Sequence, residues 1–118
     1  MAGTSEISAS SLRLRTLTRE HEIFVQCTGS LISSNCAELK SHVKTLLPKT
    51  KHVVLDLTEL SRMDSSGLGT IVAAYISTKN AGVTLELINL NARIRELFSL
   101  MNLLSVFESC GRYGTRLP

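Results

Sequence analysis

An aspartate, two serines and two glycines are gathered in RMDSSGLGTIVAAYI, residues 62–76. Before them runs HVVLDL, residues 52–57, too short and β-branched for a helix; within and after them Leu68, Ile71, Val72, Tyr75 and Ile76 recur at helical spacing. The order strand, turn, helix places Asp64 or Ser65 at a helix N-cap, where a side-chain oxygen satisfies free backbone N–H groups. A cap alone accounts for an acid and a hydroxyl. Gly67 and Gly69 are different, because a glycine inside a helix gives up about 1 kcal/mol relative to alanine, which predicts a close approach to the backbone there.

Three catalytic patterns fail on spacing. A dinucleotide fingerprint needs a third small residue where Val72 stands, and a phosphate loop needs Lys and Ser/Thr where Thr70-Ile71 follow Gly69. A hydrolase elbow centred on Ser65 needs glycine where Met63 stands. His21, His42 and His52 are expected in a link, on a helix surface and at a strand start, so none is placed beside Ser65 as a base. Asp56 closes the apolar strand and could orient a hydroxyl, bind a cation or pair with a turn amide. Cys27, Cys36 and Cys110 are odd in number and form no CxxC, so neither a disulfide framework nor zinc is expected, nor any other metal or cofactor.

The 118 residues suffice for one domain with its own core, at 43% hydrophobic and 19% charged. No Trp and 4% aromatic content leave few platforms for stacking bases, and the net charge of +3 is dispersed apart from Arg13, Arg15 and Arg19. Nucleic acid is therefore not an expected partner. MAGTSEISASS has no apolar signal core, and the longest apolar run is Ile71 to Ile76, which predicts a cytoplasmic protein without membrane insertion.

The elements that position the acid and hydroxyls can be read outward from them. Residues 1–10 read as a loose polar tail. Leu12, Leu14 and Thr16 alternate with Arg13 and Arg15, and Ile23, Val25 and Cys27 with Phe24 and Gln26, giving a hairpin with one wet face. Asn35 with Glu38 suggests a capping box for a helix bearing Leu39, Val43, Leu46 and Leu47 and stopped by Pro48. After the quoted helix, ended by Asn80-Ala81-Gly82, come a strand with Val83, Leu85 and Leu87, then a helix capped by Asn91 with Ile94, Leu97, Phe98 and Met101 on one side. Val106-Phe107 could form a last edge strand, and Leu103, Leu104 and Phe107 could complete the core. The order β-β-α-β-α-β-α predicts an α/β sheet packed against helices, one domain over 11–110 with a tail over 111–118.

VVLDLTELSRMDSSGLGTIVAAY resembles the signature of the STAS domain, in particular the small bacterial anti-sigma factor antagonists. The likeness runs from about Ile23 to Phe107, through the Gly29-Ser30-Leu31 turn, the strand ending in Asp56, the DSSGLG segment and the LFSLMNL helix. It implies the STAS fold, a mixed four- to five-stranded sheet flanked by helices, and a non-enzymatic switch. In such a switch a serine kinase that is also the anti-sigma factor binds the unmodified protein and phosphorylates the first serine after the aspartate, here Ser65, and a PP2C-type phosphatase restores the active form. The surface implied for the partner comprises Met63, Asp64, Ser65, Ser66, Gly67, Gly69 and Ser33. The family usually carries an aspartate after the Gly-x-Leu turn where this chain has Ile32. The alternative is a STAS subunit acting structurally in a transporter or signalling scaffold without phosphorylation; nucleotide binding at the glycine-rich helix start is a further possibility.

Overall fold

The computed structural model describes residues 3–9 and 11–100. They form β1 (Gly3–Ala9), β2 (Leu12–Thr18), β3 (Ile23–Leu31), α1 (Cys36–Leu46), a 3₁₀ turn (Leu47–Lys49), β4 (His52–Met63), α2 (Ser65–Asn80), β5 (Thr84–Ile88) and α3 (Ala92–Leu100). The five strands lie in sequence order. β1, β2 and β3 pair antiparallel, whereas β3, β4 and β5 are parallel, since each of the last two follows a helix that carries the chain back across the sheet. This is the mixed α/β sheet expected. Val106-Phe107, Leu103, Leu104, Met101, Cys110 and the tail over 111–118 lie outside the described residues.

Residues 3–9 correct the expectation of a loose tail. They pair in continuous register with β2, from Gly3 opposite Thr18 to Ala9 opposite Leu12. An edge strand draws on backbone hydrogen bonds with one neighbour, so it needs no apolar alternation; Ile7 packs against the core.

The core lies between the sheet and the helices. Leu14, Val25, Val53 and Leu55 from the strands meet Leu39 and Val43 of α1, Ile71 of α2, and Ile94 and Phe98 of α3, each at most 1% exposed. β4 is buried on both faces over 52–55, as its unbroken apolar run requires. Its first residue, His52, contacts the buried Glu86 of β5 and lies 3.6 Å from Glu22. On the hairpin's wet face Arg13 and Arg15 are exposed, and Arg19 lies over the Phe24 ring.

Two further expectations are revised. The Asn35 N–H, which Glu38 would take in a capping box, donates instead to the Ile32 carbonyl, so no box forms. His42 is not on a helix surface but buried, sharing a hydrogen bond of 2.7 Å with Thr16 Oγ1. The apolar stripe of α1 alone does not reveal this, because β2 supplies the partner.

Burial, with help from Lys49, lowers the His42 pKa below its ordinary 6.5, so the neutral ring is the native form. Its contribution to stability is complete above that value and is lost as pH falls through the lower, folded one. Urea unfolding is expected to show stability declining between about pH 7.5 and about pH 5, with His42→Gln showing a shallower decline over the same interval.

Candidate functional site

Parallel pairing brings the ends of β3 and β4 together, with Leu31 opposite Met63. Both strands turn there into helices, so the loop before α1 and the N-terminus of α2 lie side by side at the carboxyl end of the sheet, where open α/β sheets place their ligands. Sequence separates Ser33 from Asp64 by 31 positions; the fold makes them neighbours.

Asp64 joins the two loops. It holds the N-cap of α2 in extended backbone, with Oδ1 accepting from the Gly67 N–H at 3.0 Å and Oδ2 from the Ser33 N–H at 3.2 Å. Its own N–H donates to the Leu31 carbonyl and its carbonyl accepts from Leu68. The hydrogen bond from Gly67 holds the Asp64 carboxyl below the usual carboxylate range; partial burial opposes this, while the Ser33 and Ser66 amides and the Arg62 charge reinforce it. Across the loop, Asn35 accepts from the Ile32 N–H and donates to the Ser30 carbonyl, both at 3.0 Å. The sequence marks Asn35 only as a cap, because asparagine before a helix serves equally as cap or loop brace.

Around this tie, Ser65, Ser66, Gly69 and Ser33 are exposed, whereas Met63 and Gly67 are buried. The two glycines, alike in sequence, have different causes. A β-carbon at Gly67 would lie 2.3 Å from the Leu31 carbonyl oxygen, so α2 sits directly on the end of β3; the close approach predicted there comes from within the molecule. At Gly69 nothing lies within 4 Å of such a carbon, leaving open helix backbone at the surface. The turn expected at Gly29-Ser30-Leu31 is the irregular end of β3, where Gly29 takes φ +100° against the Ser11 carbonyl.

The side chains that could have supplied catalysis are engaged elsewhere. Asp56 accepts from the Thr58 amide and hydroxyl and from Asn89, within β4 and away from the α2 N-terminus. His42 and His52 hold the contacts described above, and His52 begins the strand whose far end leads to Ser65. Cys27 is buried, and burial followed by the Asp56 charge pushes its thiol up to about 12. Among the described residues no group of three His, Cys, Asp or Glu side chains is placed to hold a metal ion, and no helix is long and apolar enough to cross a membrane.

Fold and site define an α/β domain that offers hydroxyls at a helix N-terminus braced by a neighbouring loop. The family model of the STAS domain matches residues 13–115, and the chain belongs to that family. It is 31% identical over 100 residues, 83% of this chain and 86% of the relative, to an anti-sigma-B factor antagonist of Listeria monocytogenes. Among solved structures, an anti-sigma factor antagonist from Mycobacterium paratuberculosis shares the fold at TM-score 0.74 and 17% identity, covering 86% of this chain and 87% of that one. The Bacillus cell fate determinant SpoIIAA in its phosphorylated form does so at TM-score 0.61 and 15% identity, over 89% and 87%.

The two glycines give opposite expectations. Gly67→Ala should destabilise the fold by about 1–3 kcal/mol, because backbone must shift to admit the methyl group. Gly69→Ala should stabilise it by about 0.5–1 kcal/mol through helix propensity. Urea titrations of both variants measure this. The depressed Asp64 pKa gives a second expectation, since its stabilisation is complete above the ordinary carboxylate value of 3.8 and is lost as pH falls through the folded value. The stability gap between wild type and Asp64→Asn should therefore be constant near neutrality and close in acid.

Proposed function

We propose that the protein is an anti-sigma factor antagonist, a non-catalytic binding module switched by phosphorylation of Ser65. Unmodified, it docks on an anti-sigma factor that is also a serine kinase; phosphorylated, it is released, and a PP2C-type phosphatase restores it. The observation that carries this reading is the exposure of Ser65 as the first residue of α2, directly after a capping aspartate. The surface around it is drawn from Asp64, Ser66, Gly69 and Ser33, with Met63 and Gly67 setting the turn from inside.

A phosphate there adds nearly two negative charges and three acceptor oxygens at the positive end of a helix dipole, so the fold tolerates it. SpoIIAA, which shares the fold, has a phosphorylated form. A partner buried against Ser65 faces the same dianion beside the Asp64 carboxylate, and desolvating it without matching donors costs several kcal/mol. That is enough to release a complex of micromolar affinity, whose whole binding free energy is about 8 kcal/mol. Ile32, where the family usually has an aspartate, favours a second reading, a STAS subunit that acts structurally without modification.

Incubation with ATP and the host's serine kinases, followed by intact-mass measurement, should add one phosphate to wild type and none to Ser65→Ala. In a pull-down the alanine form should keep the anti-sigma kinase and Ser65→Asp should lose it. Equal retention, with no phosphate gained by wild type, assigns the protein to the structural reading.

A further inference from the structure

The end of the sheet away from Ser65 is basic. All five lysines of the chain, Lys40, Lys44, Lys49, Lys51 and Lys79, lie on α1, in the link to β4 or in the last turn of α2, and no acid occurs between Glu38 and Asp56. Both helices run from the carboxyl end of the parallel strands to the amino end, so Lys44 and Lys79 finish beside the link that carries Lys49 and Lys51. The first residue of β5, Thr84, donates its N–H to the Lys51 carbonyl at 2.9 Å, and Ala81 lines an open groove of about 560 Å³ with Leu47, Pro48, Lys49 and Lys51. Lys44, Lys49, Lys51 and Lys79 are exposed, and none is in an ion pair among the described residues. The β2–β3 turn adjoins them where the Thr50 hydroxyl donates to the His21 carbonyl at 3.3 Å, and it brings Arg19, Glu20 and Glu22 to the same end. Cations there outnumber carboxylates, and Glu22 is turned to His52. A helix C-terminus attracts cations, which accounts for Lys44 and Lys79. Lys51 lies outside any helix, and Lys49 closes only a three-residue turn.

We propose that this basic end is a docking surface for an anionic lipid bilayer, on which the domain stands with Ser65 turned away from the membrane. Charge alone admits nucleic acid, an acidic protein or a bilayer; the residue types choose among them. Nucleic acid finds no free ring on which to stack a base, since Phe98 is buried, Arg19 lies over Phe24 at 5.0 Å and Lys79 over Tyr75 at 5.9 Å. Protein partners are held through forked arginines and aromatic anchors, and lysine is depleted in their interfaces. Mobile ammonium groups around the exposed Pro48 suit a plane of headgroup phosphates, which demands no fixed geometry of them. β4 starts at the basic end and finishes at Met63, beside Asp64, so its 12 residues hold the two surfaces roughly 35 Å apart. A protein can therefore reach Ser65 while the domain rests on lipid. The inference concerns where the molecule sits and is independent of whether Ser65 is modified.

Co-sedimentation of the full chain with phosphatidylcholine vesicles, pure or with about one-third phosphatidylglycerol, tests this in about 0.1 M salt. Wild type should partition onto the anionic vesicles and not the neutral ones, and should detach in about 1 M salt, where screening removes the attraction. Lys51→Glu should lower partitioning by about tenfold or more, and Lys49→Glu combined with it should nearly abolish binding. Arg93→Glu, an equal change of charge at the other end of the sheet, should alter it by less than about twofold, being more than a Debye length away. All three positions are exposed, and thermal melts should show the variants folded. Equal partitioning of wild type onto neutral and anionic vesicles, or onto neither, overturns the proposal whatever the variants do. Equal loss in Arg93→Glu and Lys51→Glu assigns the attraction to net charge and overturns the basic end as the surface. Duplex DNA bound under the same conditions, with anionic vesicles left unbound, assigns that end to nucleic acid and overturns it as well.

Discussion

The architecture of the site depends on one carboxylate held by two backbone amides from different loops. Asp64 accepts from Gly67 in its own helix and from Ser33 across the β3–α1 connection. The first bond starts α2 and the second fixes the neighbouring loop against it. Neither amide has a helical partner of its own to fall back on, and an ionised carboxylate makes the stronger, charge-assisted bond to each. The low pKa of Asp64 is the electrostatic expression of the same arrangement.

Close packing at Gly67 supplies the second constraint, and it acts on the whole helix. With no side chain there, α2 descends onto the Leu31 carbonyl, and its rotation about its own axis is settled at that first turn. Leu68, Thr70, Ile71, Ala74 and Thr78 then face inward, while Ser65, Ser66, Gly69 and Ile76 turn outward. The surface that results presents Ser65, Ser66 and Gly69 to solvent and leaves Ile76 exposed, which a helix oriented by its hydrophobic stripe alone would not do.

A binding module that is switched by modification must keep its scaffold while changing its surface. The division of labour here suits that demand. The carboxylate and the buried glycine work inside the turn, held by backbone groups, whereas Ser65, Ser66 and Gly69 lie outside it and support nothing in the core. Under the proposed switch, charge added at the exposed serine would meet the helix dipole rather than the packing, and the energetic consequence would fall on a partner docked there.

Much of this was legible in the residue order. Period-two alternation located β2, β3 and β5, a short unbroken β-branched run located β4, helical spacing located the three helices, and DSSGLG after a strand marked a helix start capped by Asp64 or Ser65, because local periodicity and capping are properties of neighbouring residues. Strand β1 escaped, since pairing along an edge leaves no apolar pattern. The bond between Asp64 and Ser33, the burial of His42 against Thr16, and the opposite fates of Gly67 and Gly69 escaped for a different reason. Each depends on a group brought near by the parallel crossover or the hairpin, from a distant part of the chain. The sequence by itself determined which segments become strands and helices and where a hydroxyl heads a helix; only the tertiary structure decided which way that helix faces, because its rotation is set by a backbone carbonyl that packing, not sequence proximity, places beneath it.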